Sequence, residues 1–127
     1  MFKILDNKSI YVTRGDIASI EVSAKSHTGE AYVFKVGDVV RLQVFEKGRC
    51  NKIVLQKTVE ALEECTTLDI FLETGDTRFC EVIHAPKDYW YELTLNPDTR
   101  PQTLVGYDDV GPKLFRIFPE GSVEYGR

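Results

Sequence analysis

Three cysteines, two histidines, two pairs of adjacent acids and one aromatic triplet are the side chains here with the most chemical potential. Cys50, Cys65 and Cys80 recur every fifteen residues. No Cys-x-x-Cys pair occurs, and His27 and His84 lie far apart, so the tight local ligand pairs of a zinc site are missing. The odd count and even spacing point to reduced thiols rather than a disulfide framework. Cys80 and His84 stand four residues apart and would meet on one helix face. A thiol nucleophile also needs its base oriented by a third group, and none accompanies them. Glu63-Glu64 and Asp108-Asp109 are neighbours in sequence. On a strand such pairs point to opposite faces, so neither is arranged for glycoside hydrolysis. Asp108-Asp109 sits in a loop with Gly111 and Pro112 and is a weak calcium candidate, short of the regularly spaced oxygens such a loop uses. No catalytic residue, metal or cofactor is expected.

Two binding motifs remain. Arg14-Gly15-Asp16 spells an adhesion tripeptide, but it runs straight into a strand-like stretch, which favours a turn. Tyr89-Trp90-Tyr91 could stack on sugars or bases. Alternation puts Tyr91 with Leu93 and Leu95 on an apolar face and leaves Trp90 on the other. Trp90 is therefore the candidate contact residue, or the centre of a second small core.

The elements that position these groups follow period two. Ala18, Ile20, Val22 and Ala24 alternate with Ser19, Glu21 and Ser23. Val40, Leu42 and Val44 do the same, as do Leu68, Ile70 and Leu72, and Tyr91, Leu93 and Leu95. Phe115 and Ile117 bracket Arg116. Ile10 to Thr13 and Ile53 to Leu55 are short runs rich in β-branched residues. Turn residues separate the runs: 26–30 predicts a hairpin into a strand Tyr32-Val33-Phe34, 46–51 a second hairpin, and 96–101 a third turn. The pattern predicts an all-β antiparallel β-sandwich, of Ig-like or Greek-key type, with one or two short helices and Val22, Leu42, Ile70, Tyr91, Leu93 and Ile117 inside. Residues 57–65 read as either a helical turn or a strand running into a loop. Asp76 is positioned to cap a short helix within 74–83. Gly15-Asp16 and Gly37-Asp38 precede similar strands twenty-two residues apart. Glycine permits positive φ at the turn, and aspartate accepts backbone N–H bonds there.

The chain has 127 residues, the size of one domain, 1–127, with 43 % apolar and 28 % charged residues. Its longest apolar run is Ala31 to Phe34, far short of the roughly 20 residues a membrane helix needs. The N-terminus has no apolar signal region, so no signal peptide and no membrane partner are expected. Net charge is −4. Residues 1–59 carry ten Lys or Arg and six Asp or Glu, whereas residues 60–127 carry six and fourteen. Neither half has the clustered basic footprint of a nucleic-acid binder. Opposite signs at the two halves read either as ordinary solvated faces or as a charge asymmetry that steers copies or neighbours head to tail.

The order of the pieces carries a resemblance. Ile10 to Asp16 leads an alternating strand; Tyr32-Val33-Phe34 and Val36 to Val40 follow; Tyr89 to Leu95 comes later, then Thr103 to Val105 and Leu114 to Pro119. This resembles the small β-sandwich proteins of phage and prophage tail and baseplate modules in Gram-positive bacteria, including the N-terminal domain of upper baseplate proteins. That group shares an Arg-Gly-Asp strand start, a Gly-Asp before the third strand and a Tyr-x-Tyr-acid strand, matched here by Tyr89, Tyr91, Leu93 and Leu95 with Glu92 at the acid. The 107–113 loop departs from the group. The resemblance implies a non-enzymatic virion component, assembled in the bacterial cytoplasm, whose partners are other tail or baseplate proteins and copies of itself. A carbohydrate-binding or adhesion domain is the alternative. The candidate interaction residues are Trp90 and the apolar Phe2, Ile4 and Leu5 of an N-terminal segment, residues 1–7, which either reaches a neighbour as an arm or folds back on its own domain.

Overall fold

The computed structural model describes residues 2–5, 7–25, 28–106 and 111–120, with the side chains of 49–51 left out. His27 and the Asp108-Asp109 pair lie outside the described residues, as does the Cys50 side chain. Among the described residues nine strands and one short helix follow each other: β1 (Phe2–Ile4), β2 (Ile10–Thr13), β3 (Ala18–Val22), β4 (Val39–Glu46), β5 (Arg49–Glu60), β6 (Leu68–Leu72), α1 (Thr74–Thr77), β7 (Lys87–Leu95), β8 (Gln102–Val105) and β9 (Lys113–Phe118).

The fold is all-β and sandwich-like. A large sheet runs in the order β1-β2-β9-β7-β4-β5, with β8 beside the second half of β7. A two-stranded sheet, β3-β6, is the other layer. Alternation decides what lies between them. Ile10 and Val12, Val40, Leu42 and Val44, Tyr89 to Leu95 at every second position, and Phe115 and Ile117 are buried from the large sheet. They share one core with Ala18, Ile20, Val22, Leu68, Ile70 and Leu72 of the small one. All six residues expected inside are buried. The Tyr91 hydroxyl lies in this core, where burial pushes its pKa up, and donates to the Lys8 carbonyl, tying the β1–β2 turn to β7.

Several expectations need correction. The sandwich is not wholly antiparallel: β2 and β9 pair in parallel, Ile10 with Phe115 through Thr13 with Phe118. These strands lie more than a hundred residues apart, so no hairpin dictates their direction. Tyr32-Val33-Phe34 is not a strand. Within it Phe34 makes an isolated bridge to Cys65, and Ala31 just before it makes another to Lys25. Residues 57–60 complete a twelve-residue β5, and a loop follows, which settles the ambiguity there in favour of strand. The 74–83 helix exists but stops at Thr77; Asp76 sits inside it, at its third position, and accepts the Glu73 N–H at 2.8 Å.

Candidate interaction site

The two most exposed large apolar side chains among the described residues, Leu62 and Val36, lie in and beside the segment that follows the expected Tyr32-Val33-Phe34 strand. Phe34 is fully buried and fixes the segment. Its N–H donates to the Cys65 carbonyl at 2.7 Å, and the Cys65 N–H returns the bond at 3.1 Å. Two residues of loop later, Gly37 N–H donates to the Ala61 carbonyl and Ala61 N–H to the Asp38 carbonyl, at 3.0 and 2.8 Å. Segments 34–38 and 61–65 therefore run antiparallel and brace each other. Between the braces Val36 and Leu62 stand out in solvent, 69 % and 82 % exposed, and Val33, just before Phe34, is 43 % exposed.

Asp38 anchors this end. Its Oδ2 accepts the Tyr32 hydroxyl at 2.8 Å and the Lys35 N–H at 2.9 Å; its Oδ1 accepts Asn96 Nδ2 at 3.2 Å. Burial pushes the Asp38 carboxyl up, but the donors from Lys35, Tyr32 and Asn96 outweigh it and hold the pKa below the usual value. The same hydrogen bond holds the Tyr32 hydroxyl protonated to higher pH. Asn96 has a left-handed backbone, φ +49°, which asparagine tolerates. Its backbone N–H donates to the Val39 carbonyl at 2.6 Å, and its side-chain Oδ1 accepts the Val39 N–H at 2.9 Å. One carboxylate thus ties the 31–38 loop to the turn after β7. Beside it opens a depression of about 400 Å³, floored in part by Leu95.

Trp90 occupies the outer face of the large sheet, half-buried, as alternation required. In register it lies between Phe45 of β4 and Leu114 of β9, and Ile53 of β5 continues the row beyond Phe45. Phe45 is buried, Trp90 and Leu114 are half-buried and Ile53 is exposed, so Trp90 sits within an apolar row on the outer face. A charged ladder lies beside it. Arg116 grips Asp88 through both carboxylate oxygens at 2.6 and 3.2 Å and stacks over the Tyr11 ring at 5.1 Å. Arg116 keeps the Asp88 carboxyl below its ordinary pKa.

Phe2 and Ile4 belong to β1, which pairs antiparallel with β2, Phe2 opposite Val12 and Ile4 opposite Ile10. The N-terminal segment is laid on its own sheet as an edge strand. Phe2 packs against the core, Leu5 is half-buried, and Ile4 is 42 % exposed. The structure does not bring Trp90 together with Phe2, Ile4 and Leu5 at one site: β9 and β2 separate β7 from β1.

The chemical candidates disperse as well. Cys65 and Cys80 are unbridged. Cys80 and His84 follow the end of α1, so the helical face that would have joined them does not exist. Glu63 and Glu64 are both solvent-exposed in the loop after β5. Among the described residues no three of His, Cys, Asp and Glu gather as metal ligands. Arg14-Gly15-Asp16 is a turn, as expected, and it is fastened inward. Arg14 Nη1 pairs with Glu120 at 2.8 Å and its Nε donates to the Cys80 carbonyl at 3.1 Å.

The sequence pattern does not single out Val33, Val36 and Leu62, because it reads Val33 as part of a strand and leaves Leu62 in a stretch compatible with helix or strand. The signal was present in Gly37-Asp38. A turn there cannot continue a strand through Val36, and valine left in a turn is exposed unless something covers it. Comparison with protein-family models, with curated proteins and with solved structures finds no match.

Proposed function

We propose that this chain is a non-enzymatic structural module of a phage-like tail or baseplate. It acts through protein–protein contacts with other tail or baseplate proteins and with its own copies, and it assembles in the bacterial cytoplasm as a virion component. The phage assignment draws on the sequence resemblance. The mode of action draws on one observation: Val33, Val36 and Leu62 are exposed on a backbone fixed by reciprocal hydrogen bonds. A surface already ordered before contact loses little conformational entropy on binding, and exposed aliphatic side chains gain from leaving water.

Sheet edges are poorer candidates for the contact. β5 is twelve residues long, and an open edge of that length invites pairing with any strand. It is blunted by register shifts at Val44/Phe45 and Phe45/Glu46. It also carries a charge toward the core side: Lys57 lies opposite buried Leu42 and is held by Asp76 at 3.0 Å. β1 is only three residues long. Side chains at the braced end, rather than added strands, make the contact in this reading.

Sedimentation of the full chain over a wide concentration range tests it. Weight-average mass should rise with concentration, and the double variant Val36→Asp, Leu62→Asp should flatten that rise while keeping the native circular dichroism spectrum. A chain that stays monomeric throughout removes the self-contact. A gene neighbourhood of metabolic enzymes in place of tail, holin or lysin genes removes the phage assignment.

A further inference from the structure

The depression beside Asp38 has a chemistry of its own, and it does not depend on the assembly reading. Its walls include Tyr32, Lys35, Asp38, Asn96, Arg100 and Gln102. Asp38 is the only acid among them, and its two oxygens already accept three hydrogen bonds from the walls themselves. The carboxylate is therefore committed to holding the site together. The groups left for a ligand are the Lys35 ammonium, the Arg100 guanidinium and the Gln102 amide, all on exposed residues. Among the described residues neither Lys35 nor Arg100 engages an acid side chain in an ion pair. The Lys35 charge does act on the Asp38 carboxylate and helps to lower its pKa, but without closing an ion pair, so on a chain of net charge −4 this is a local concentration of donors with one committed carboxylate beside them.

The walls are also rigid. Tyr32 is pinned at both ends, by its hydroxyl on Asp38 and by its N–H on the Ala24 carbonyl at 2.9 Å, and its ring packs edge-on against Phe34. Thr99 and Arg100 N–H groups both close on the Asn96 carbonyl, at 3.2 and 3.1 Å, so Arg100 stands on a hydrogen-bonded turn. Gln102 lies opposite Leu95 in the β7–β8 register. A concave space of about 400 Å³ with a half-buried aromatic, a buried leucine and a few converging polar groups falls within the roughly 300–1,000 Å³ of small-ligand sites.

We propose that this depression binds a sugar acid, a hydroxylated ring bearing one carboxylate. Lys35 and Arg100 hold the carboxylate, and guanidinium geometry suits a two-oxygen grip. Gln102 supplies both a donor and an acceptor to ring hydroxyls. Tyr32 and Leu95 receive the C–H face of the ring. Asp38 is a positioning residue: it sets Tyr32, the Lys35 backbone and Asn96 without touching the ligand.

The test is an amide NMR titration of the full chain with sodium glucuronate, glucose and inorganic phosphate as three separate probes. Glucuronate should shift amides of residues 32–38 and 95–102 in a saturable way, with glucose and phosphate each at least tenfold weaker, a difference of about 1.4 kcal/mol. The double variant Lys35→Gln, Arg100→Gln should weaken glucuronate by tenfold or more and leave the other amides in place. No saturable shift overturns the proposal. Equal response to phosphate reduces the site to a general anion spot and overturns the sugar assignment; equal response to glucose overturns the carboxylate assignment. Loss of binding in Trp90→Ala, with the double variant unaffected, moves any sugar site to the outer face of the large sheet and overturns this one.

Discussion

Gly15-Asp16 and Gly37-Asp38 are two copies of one local signal, and the molecule fastens them in opposite ways. Both glycines have positive φ, +89° and +95°. Both turns admit a strand whose alternate residues enter the core. At Gly37 the aspartate side chain does the fastening, gathering Tyr32, Lys35 and Asn96 around itself. At Gly15 a residue from elsewhere does it. The fully buried Thr77 accepts the Gly15 N–H at 3.0 Å and donates its hydroxyl to the Asp16 carbonyl at 2.8 Å. Arg14 and Arg78 then close over the turn by sharing Glu120. The first turn is covered by a helix and an ion cluster. The second is open on one side, and its openness leaves both the exposed valines and the depression. Identical dipeptides supply identical backbone freedom; what surrounds them decides whether the turn becomes packing or surface.

The sharpest way to break this contrast is to add one carbon to the covered turn. In Gly15→Ala the new Cβ would fall 2.3 Å from Glu120 Oε1 and 2.9 Å from Arg78 Nε, on a backbone that L-residues rarely adopt. Strain and a displaced ion cluster together should cost about 3 kcal/mol in urea unfolding. Thr77→Val comes next. It preserves shape but strands the Gly15 N–H, and a buried donor without a partner should cost about 2 kcal/mol by the same measurement. A cost near zero would mean that the first turn is held by its ion cluster alone.

Asp38→Asn attacks the second turn at its centre and should cost about 1–2 kcal/mol at neutral pH. Its signature is the pH dependence. Hydrogen bonds lower the folded-state pKa of Asp38, so its stabilisation is present above the ordinary carboxylate value and is lost as pH falls through the lower, folded one. The gap between the wild-type chain and Asp38→Asn should narrow on acidification. Glu120, whose carboxyl is held down by Arg78 and Arg14 against a smaller burial effect, adds a second acid-sensitive contribution at the other turn in both proteins. A gap that is constant down to strong acid would show that Asp38 acts without its charge. The smallest effect belongs to Gly37→Ala. No heavy atom lies within 4 Å of a Cβ there, so only the backbone conformation resists, at about 1 kcal/mol. If Gly37→Ala proves as costly as Gly15→Ala, the contrast between an open and a covered turn fails.

Period-two alternation was enough to place the inner faces of β3, β4, β6, β7 and β9, because a side chain on a strand can take only one of two sides. It also put Trp90 outside and Tyr91 inside. Glycine and proline chemistry placed the turns, since positive φ and a missing N–H are properties of single residues. The candidate site was half visible. Gly37-Asp38 announced a turn, yet Asp38 meets an asparagine fifty-eight positions away, and no local pattern encodes that meeting. The parallel β2–β9 pair was hidden for the same reason. Strand direction is set by how distant segments close one core, and a run such as Phe115-Arg116-Ile117 buries the same side whichever way its neighbour runs. Sequence by itself determined which side chains leave water and where the backbone turns, because those are decisions of one residue and its immediate neighbours. Tertiary structure alone decided which turns were covered, which were left open and which distant groups share a hydrogen bond, because each depends on what the rest of the chain brings alongside.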